Sequence, residues 1–371
     1  MNILGIAPYP FLPPQMGGQK YIDIFYRYVG AEVNTIVAST QNNEEVFARH
    51  YTLEKVFDNS KSRYGNPIYF FKLKKLIRQY NITHLIIEHP YMGWLALALQ
   101  KALGVKFIVH SHNIESERFK SMNKSWWKPL WYYEKWVHQQ ADHSFFITAL
   151  DMQYAIERFS LNPLKCSTSF YGIERDKAPT AVERKAAKET ICRQLQLSVL
   201  TNILLFNGNF SYQPNRDALL VLLNTIVPLL NKDGYEFKLI ICGKGINDEL
   251  KAMNVENVIM QDFVPDITIY NLAADIFLNP VIEGGGVKTK LVEALAANTS
   301  VVSTRSGANG VKTEWCGSKL TIVEDNDWTA FYNAIKTKRM NEEPVSEVFF
   351  QQFYMGNIAK KVKETLELLV L

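Results

Sequence analysis

The sequence predicts an α/β protein built as two doubly wound halves, each with a mainly parallel sheet. Short apolar runs recur along the chain, each followed by a longer helical pattern, and the runs do not alternate polar with apolar residues. Strands of that kind are buried on both faces between helices, which is the signature of βαβ units. The rhythm breaks once, at YGIERDKAPTAVERKAAKETICRQLQL (171–197), which is charged, contains a proline and ends in a helix-like stretch. A chain of 371 residues is long enough for two domains, each burying its own core.

In order, the first-half strands are NILGIA (2–7), VNTIVAS (33–39), HLIIEH (84–89), KFIVHSH (106–112) and SFFITA (144–149). After the break come NILLFNG (202–208), FKLIICG (237–243), NVIMQDF (257–263), DIFLNPV (275–281) and SVVSTRSG (300–307). The division falls at 1–172 and 173–350, with a linker near Tyr171 to Pro179. In such sheets ligands sit at the carboxyl ends of the strands. The basic amphipathic run FFKLKKLIRQY (70–80) reads as a sheet-covering helix with a solvated face.

Composition narrows the function. A hydrophobic share of 47% with 21% charged residues is that of an ordinary globular protein, and a net charge of +4 is too mild to argue for nucleic acid. The four cysteines, Cys166, Cys192, Cys242 and Cys316, lie far apart and read as reduced buried thiols of a cytosolic protein. MNILGIAPYPF is a strand stopped by prolines rather than a signal sequence, and no run of about 18 apolar residues suggests a membrane span. Cytoplasmic is the default. The stretch WWKPLWYYEKWV (126–137) also admits a peripheral contact with a membrane's inner face, although core packing plus a substrate wall is the stronger reading.

Glycines mark the strand ends. Gly17 and Gly18 separate a proline-rich loop from a helix, so their N–H groups could meet a phosphate or sugar. Taken singly, a plain loop-to-helix turn is the stronger reading. No GxGxxG follows NILGIA, which weighs against a dinucleotide enzyme. NGNFSYQPNRDAL (207–219) follows its strand directly; Gly208 allows close approach, and Asn215 or Asp217 suits the cap of the next helix. EGGGVKTKLVEAL (283–295) sets three glycines before two lysines and a helix start. Bare backbone before a helix N-terminus is an anion site or a flexible loop, and both readings stand.

Two polar positions stand out. In FIVHSHNIESERF (107–119), His110 and His112 share a face of the strand end, but a metal site needs a third ligand and none is visible at suitable spacing. One of the pair suits a hydrogen-bonding role in a polar cleft, and a histidine that satisfies local backbone is the rival. Glu115 and Glu117 read as a solvated helix start. Glu293, in the apolar run LVEALAA, would be buried and needs a partner: the two hydroxyls of a ribose, which we favour, or a salt bridge with Lys290.

Taken together, the GG after the first strand, HNIE, FNGNFSYQPN, LIICG, DFVPD and PVIEGGGVKTKLVEAL resemble the retaining nucleotide-sugar glycosyltransferases of family four, with the GT-B fold. The resemblance covers essentially the whole chain and implies two Rossmann-like domains facing across a cleft, with the last residues, 351–371, forming a helix that returns to the first domain. It implies a UDP- or GDP-linked sugar donor, a glycan, lipid-linked or small-molecule acceptor, no cofactor and no metal. By position, Gly17 and Gly18 match the loop beside the donor phosphate and sugar, and His112 the histidine facing that sugar. Gly208 and Asn209 match the loop below the pyrophosphate, and Phe263 and Val264 the backbone at the nucleobase. Gly285, Gly286, Lys288 and Thr289 fall at the phosphates, and Glu293 at the ribose.

There are two departures. Relatives carry two glutamates of which Glu293 is the second; the first falls at Gly285, so Glu283 would have to replace it as a catalytic group. The family's Arg–Lys pair after the first strand of the second half is missing, and FSYQPNRD offers only Arg216, which leaves Lys288 or Lys290 to neutralise the diphosphate. These gaps keep open a non-catalytic relative that binds sugar or partner, and a nucleotide-sugar epimerase.

Overall fold

The computed structural model describes residues 1–14, 17–284, 286–338 and 343–369. The chain forms two compact units, Met1–Glu174 with Gln352–Leu371, and Arg175–Gln351. The first holds strands β1 (Asn2–Ala7), β2 (Asn34–Thr40), β3 (Thr52–Phe57), β4 (His84–Glu88), β5 (Lys106–Ser111), β6 (His143–Phe146) and β7 (Cys166–Thr168). They pair in the order β3-β2-β1-β4-β5-β6-β7, all parallel. The second unit holds β8 (Ile203–Asn207), β9 (Lys238–Cys242), β10 (Val258–Gln261), β11 (Ile276–Asn279), β12 (Ser300–Thr304) and β13 (Leu320–Val323). Its order is β10-β9-β8-β11-β12-β13, again parallel.

Period-two geometry sends alternate strand residues to opposite faces. In β1, Ile3 and Ala7 join one core cluster while Leu4 and Ile6 join the other. Both faces are therefore dry, and each fully buried large side chain contributes about 1.5–3 kcal/mol. In the first unit, the helices Gly17–Glu32 and Met355–Leu368 pack on each other over one face. His84 Nε2 donates to Leu366 O at 3.0 Å, tying the last helix to the start of β4. The second unit opens with the helix Ala181–Gln194, whose Thr180 and Glu183 form a reciprocal capping box.

Three strands, β3, β7 and β13, are additions to those read from sequence. All lie at sheet edges. Edge strands are half-covered: β3 mixes buried, half-buried and exposed positions, and β7 is only partly buried along its length. They therefore lack the unbroken apolar run that marks the central strands. The aromatic stretch is also corrected. The helix Trp127–Gln140 buries Glu134, Val137 and His138, whereas Trp126, Tyr132 and Trp136 are exposed at 46%, 70% and 38%. Core packing does not explain those three rings. Among the described residues, no helix is long and apolar enough to cross a membrane.

Candidate active site

Each sheet reverses its winding once, between β1 and β4 in the first unit and between β8 and β11 in the second. Ligands of doubly wound sheets bind outside the carboxyl ends at that switch point. The candidate residues from the sequence lie mostly on the loops that topology selects.

In the first unit, Gly17 and Gly18 open the helix that follows β1, and a Cβ on Gly18 would meet nothing within 4 Å. Its bare backbone is thus not demanded by packing. Glu88 ends β4 and pairs in register with His110 of β5, and His112 lies just past the strand. The Glu88 carboxylate accepts from His110 Nδ1 at 3.0 Å and from His112 Nε2 at 2.6 Å. Burial alone would raise the Glu88 carboxyl, but His110, and then His112, hold it well below the usual carboxylate range. Burial, then the charge of His89, drives His112 down to about 3. An ionised carboxylate can only accept, so neutral His112 carries its proton on Nε2 and leaves Nδ1 as an acceptor. His110 is fully buried, stacked on Phe25 at 4.2 Å, with Tyr21 Oη 3.0 Å from its other nitrogen.

Glu88 is the group that sequence reading missed, and it corrects the statement that no third ligand accompanies the histidines: the ligand atoms of Glu88, His110 and His112 lie within 4.8 Å of one another. They are placed to bond each other. Zinc ligands at about 2.0–2.1 Å would stand about 3.3 Å apart in a tetrahedron, wider than these 2.6 and 3.0 Å contacts.

Glu115 is a second correction, because it is fully buried rather than a solvated helix start. It accepts from Tyr91 Oη at 2.5 Å and Arg118 at 3.0 Å. His89 Nδ1 lies 3.0 Å away, at ion-pair distance but not aligned for a hydrogen bond. Burial would raise this carboxyl; His89, then Arg118, hold it well below the usual range. His89 itself has φ 63 and ψ 165, a region that favours glycine and costs about 1–3 kcal/mol elsewhere. That backbone sets its ring 4.3 Å from His112. Glu134 caps the helix at 115–121, accepting from Glu115 N at 2.8 Å and Ser116 N at 2.9 Å, and burial still pushes it up to about 7.

In the second unit, the loop after β8 packs on the turn after β9. Gly208 N donates to Cys242 O at 3.0 Å, and a Cβ on Gly243 would collide with Gly208 O. Gly243→Ala is therefore expected to destabilise this unit by about 3 kcal/mol, because a backbone atom cannot yield as a side chain can. A melting curve of that variant unchanged from the wild type would contradict this packing. Asn209 spends its side chain locally, Oδ1 accepting from Ser211 N at 3.0 Å. Asn215 and Asp217 do not cap the next helix, which starts at Gln213 after Tyr212; Asn215 instead donates to Asn209 O at 3.0 Å.

After β11, Glu283 is exposed, and Gly284 has φ 94, where a Cβ would meet Tyr212 Oη at 2.7 Å. Gly285 lies outside the described residues. Gly286 is buried with φ 71. Lys288 precedes the helix Thr289–Ala296, and its Nζ bonds Gly284 O. Glu293 is half-buried rather than buried, and Lys290 turns to Asn215 Oδ1 at 2.9 Å. Phe263, 53% exposed, and Val264 follow β10, with Lys244 Nζ 4.5 Å from the Phe263 ring. The structure thus joins Gly208, Asn209, Gly284 and Lys288 through Tyr212, Asn215 and Lys290.

Two parallel α/β sheets wound in this way are the architecture of GT-B-fold glycosyltransferases. Comparison with known proteins agrees. Residues 17–176 match the model for Glycosyltransferase Family 4, and residues 201–338 that for Glycosyl transferases group 1. The chain belongs to the family-four (group 1) glycosyltransferases, a family of retaining, metal-independent enzymes. An uncharacterized 44.6 kDa protein in the cps region of Klebsiella pneumoniae is 32% identical over 158 residues, 40% of this chain and 40% of that relative's own length. A glycosyltransferase from Rickettsia africae superposes with a TM-score of 0.74 at 16% identity, covering 100% of this chain and 98% of that one. Anabaena HepE, in complex with UDP-glucose, gives a TM-score of 0.71 at 14% identity, with 99% of each chain covered.

Proposed function

We propose that the protein transfers a sugar from a UDP- or GDP-linked donor to a glycan, lipid-linked or small-molecule acceptor, with retention of configuration. The observation that carries this reading is the meeting, at the β8/β11 switch point, of Lys288 and Lys290 with bare glycine backbone and a helix N-terminus. Cationic and N–H groups of that kind stabilise a departing diphosphate electrostatically. UDP-glucose in the HepE structure supports the donor class, and the capsule-region relative supports a place in polysaccharide biosynthesis.

In this reading Lys288, Thr289 and Gly286 meet the phosphates, with Gly208 and Asn209 below them, Phe263 and Val264 at the base and Glu293 on the ribose. Gly17 and Gly18 serve the donor phosphate and sugar. His112, its tautomer set by Glu88, accepts from a sugar hydroxyl through Nδ1. The oxocarbenium-like sugar is attacked from the face the diphosphate leaves, and a phosphate oxygen takes the acceptor's proton. Glu283 acts at turnover. In this reading the reaction takes place on the cytoplasmic side; exposed Trp126, Tyr132 and Trp136, near Trp127 with Lys120 and Lys128 over its ring, support a peripheral contact with the membrane's inner face, which sedimentation with anionic vesicles tests.

Calorimetric titration with UDP and GDP, then a donor panel read by mass spectrometry, tests the function. Binding without turnover would favour a non-catalytic relative, the reading that Gly285 and the missing Arg–Lys pair support; interconverted donors without acceptor would favour an epimerase. Glu293→Gln is expected to weaken nucleotide binding about tenfold or more, since a charged hydrogen bond contributes about 1.5–3 kcal/mol. Glu283→Gln should mainly lower turnover. Unchanged nucleotide affinity in Glu293→Gln would remove the ribose assignment.

A further inference from the structure

Lys290 is the second residue of the helix Thr289–Ala296, yet its side chain runs back across the Phe206 ring to the end of β8. Nζ lies 4.3 Å from the ring centroid, 2.9 Å from Asn215 Oδ1 and 3.4 Å from Asn207 O. These partners are all neutral. The charge acting on the amine is another cation, Lys288, and among the described residues no carboxylate pairs with it. Beside it, Asn207 is 8% exposed and its Oδ1 has no partner among the described residues. After β8 the cation on the helix beginning at Gln213 is Arg216, and it is held by Glu249 at 3.1 Å. Lys290 thus brings an amine from another element to the end of β8.

A half-buried ammonium facing neutral acceptors and a second cation costs free energy that losing its proton avoids. Burial, then Lys288, push Lys290 well below the ordinary lysine range. The groups facing it are Lys288 from its own helix start, Asn215 from the helix beginning at Gln213, and Phe206 and Asn207 from β8; Tyr212 lies beside Lys288 and Gly284. No histidine occurs between residues 175 and 351.

We infer that Lys290 is a proton-linked diphosphate receptor: its amine is neutral in the free protein and takes one proton from solvent when the donor's diphosphate binds. The inference rests on the donor reading above. The lone pair of Nζ accepts the proton, no other bond changes, and the cation exists only in the complex. Nucleotide binding then draws protons from the medium.

The test is calorimetric titration of UDP at about pH 8, above the second phosphate ionisation near 6, in buffers of low and high ionisation enthalpy. The wild type is expected to take up roughly 0.5–1 proton per UDP bound. Lys290→Arg, which stays charged, should bind UDP with no uptake. Lys290→Met should lose both the uptake and about tenfold or more of the affinity. Lys319 and Lys338 are also lowered, to about 8, by burial, so the variants rather than the wild type alone carry the test. Melting curves exclude misfolded variants. UDP binding with buffer-independent heat in the wild type overturns the inference, as does uptake that survives in both variants. Absence of binding by either UDP or GDP removes the donor reading itself, and the inference with it.

Discussion

His112→Ala is expected to lower turnover by about 10²–10³-fold while leaving UDP affinity within about twofold. The ring is 7% exposed, its Nε2–H is committed to Glu88 at 2.6 Å, and Nδ1 remains to accept from a sugar hydroxyl. UDP carries no sugar, so its affinity should not depend on this group. His110→Ala should behave differently. It removes a ring stacked on Phe25 and one of the two imidazoles on the buried Glu88 carboxylate. Depriving a buried carboxylate of one of its partners costs about 3–5 kcal/mol, so that variant should show a lowered melting temperature before any kinetic defect is interpreted. A folded, inactive His110→Ala beside an active His112→Ala would move the role from His112 to His110. Chelator should leave the wild type unaffected; a clear response would revive a metal at Glu88, His110 and His112.

Mild acid is expected to loosen the first unit more than the second. Burial lowers His112 and His138 to about 3 and His143 to about 4, against an unfolded value near 6.5. Such groups bind protons more readily once unfolded, so the stability they contribute is complete above about 6.5 and is lost as pH falls toward those values. At about pH 5 each has lost up to ~2 kcal/mol. Glu134 has the opposite sign. Raised to about 7, it favours the folded state as pH falls, and offsets about one histidine. The net loss, about 4 kcal/mol, is a large part of a typical stability of 5–15 kcal/mol. Glu88 and Glu115, held low, add to the loss below about pH 4.5. All seven histidines lie before residue 144. Hydrogen exchange followed by peptide between about pH 7.5 and 5 should therefore show the protection of residues 1–174 falling more than that of 175–351. Equal loss in both units would refute this.

The central strands and the two-unit division were legible because their causes are local. Apolar runs such as FKLIICG are buried on both faces, and charged, proline-containing sequence marks the break. Gly17, Gly18, Gly208 and the 283–293 motif were legible for a related reason: bare backbone and a helix start within a few residues leave a visible pattern. Edge strands β3, β7 and β13 leave none, since half-covered strands need no unbroken apolar run. Glu88 looks like any strand-end acid until parallel pairing sets it opposite His110, 22 residues later in the chain. Glu115 reads as solvated because a helix start welcomes an acid, and only the packing of Tyr91, Arg118 and His89 around it shows that it is buried. Lys290 meets Asn215 across 75 residues. Sequence alone determined the central strands and which loops carry glycine; tertiary structure decided the edge strands and which side chains face each other, because hydrogen bonds and desolvation depend on distances in space that spacing along the chain does not encode.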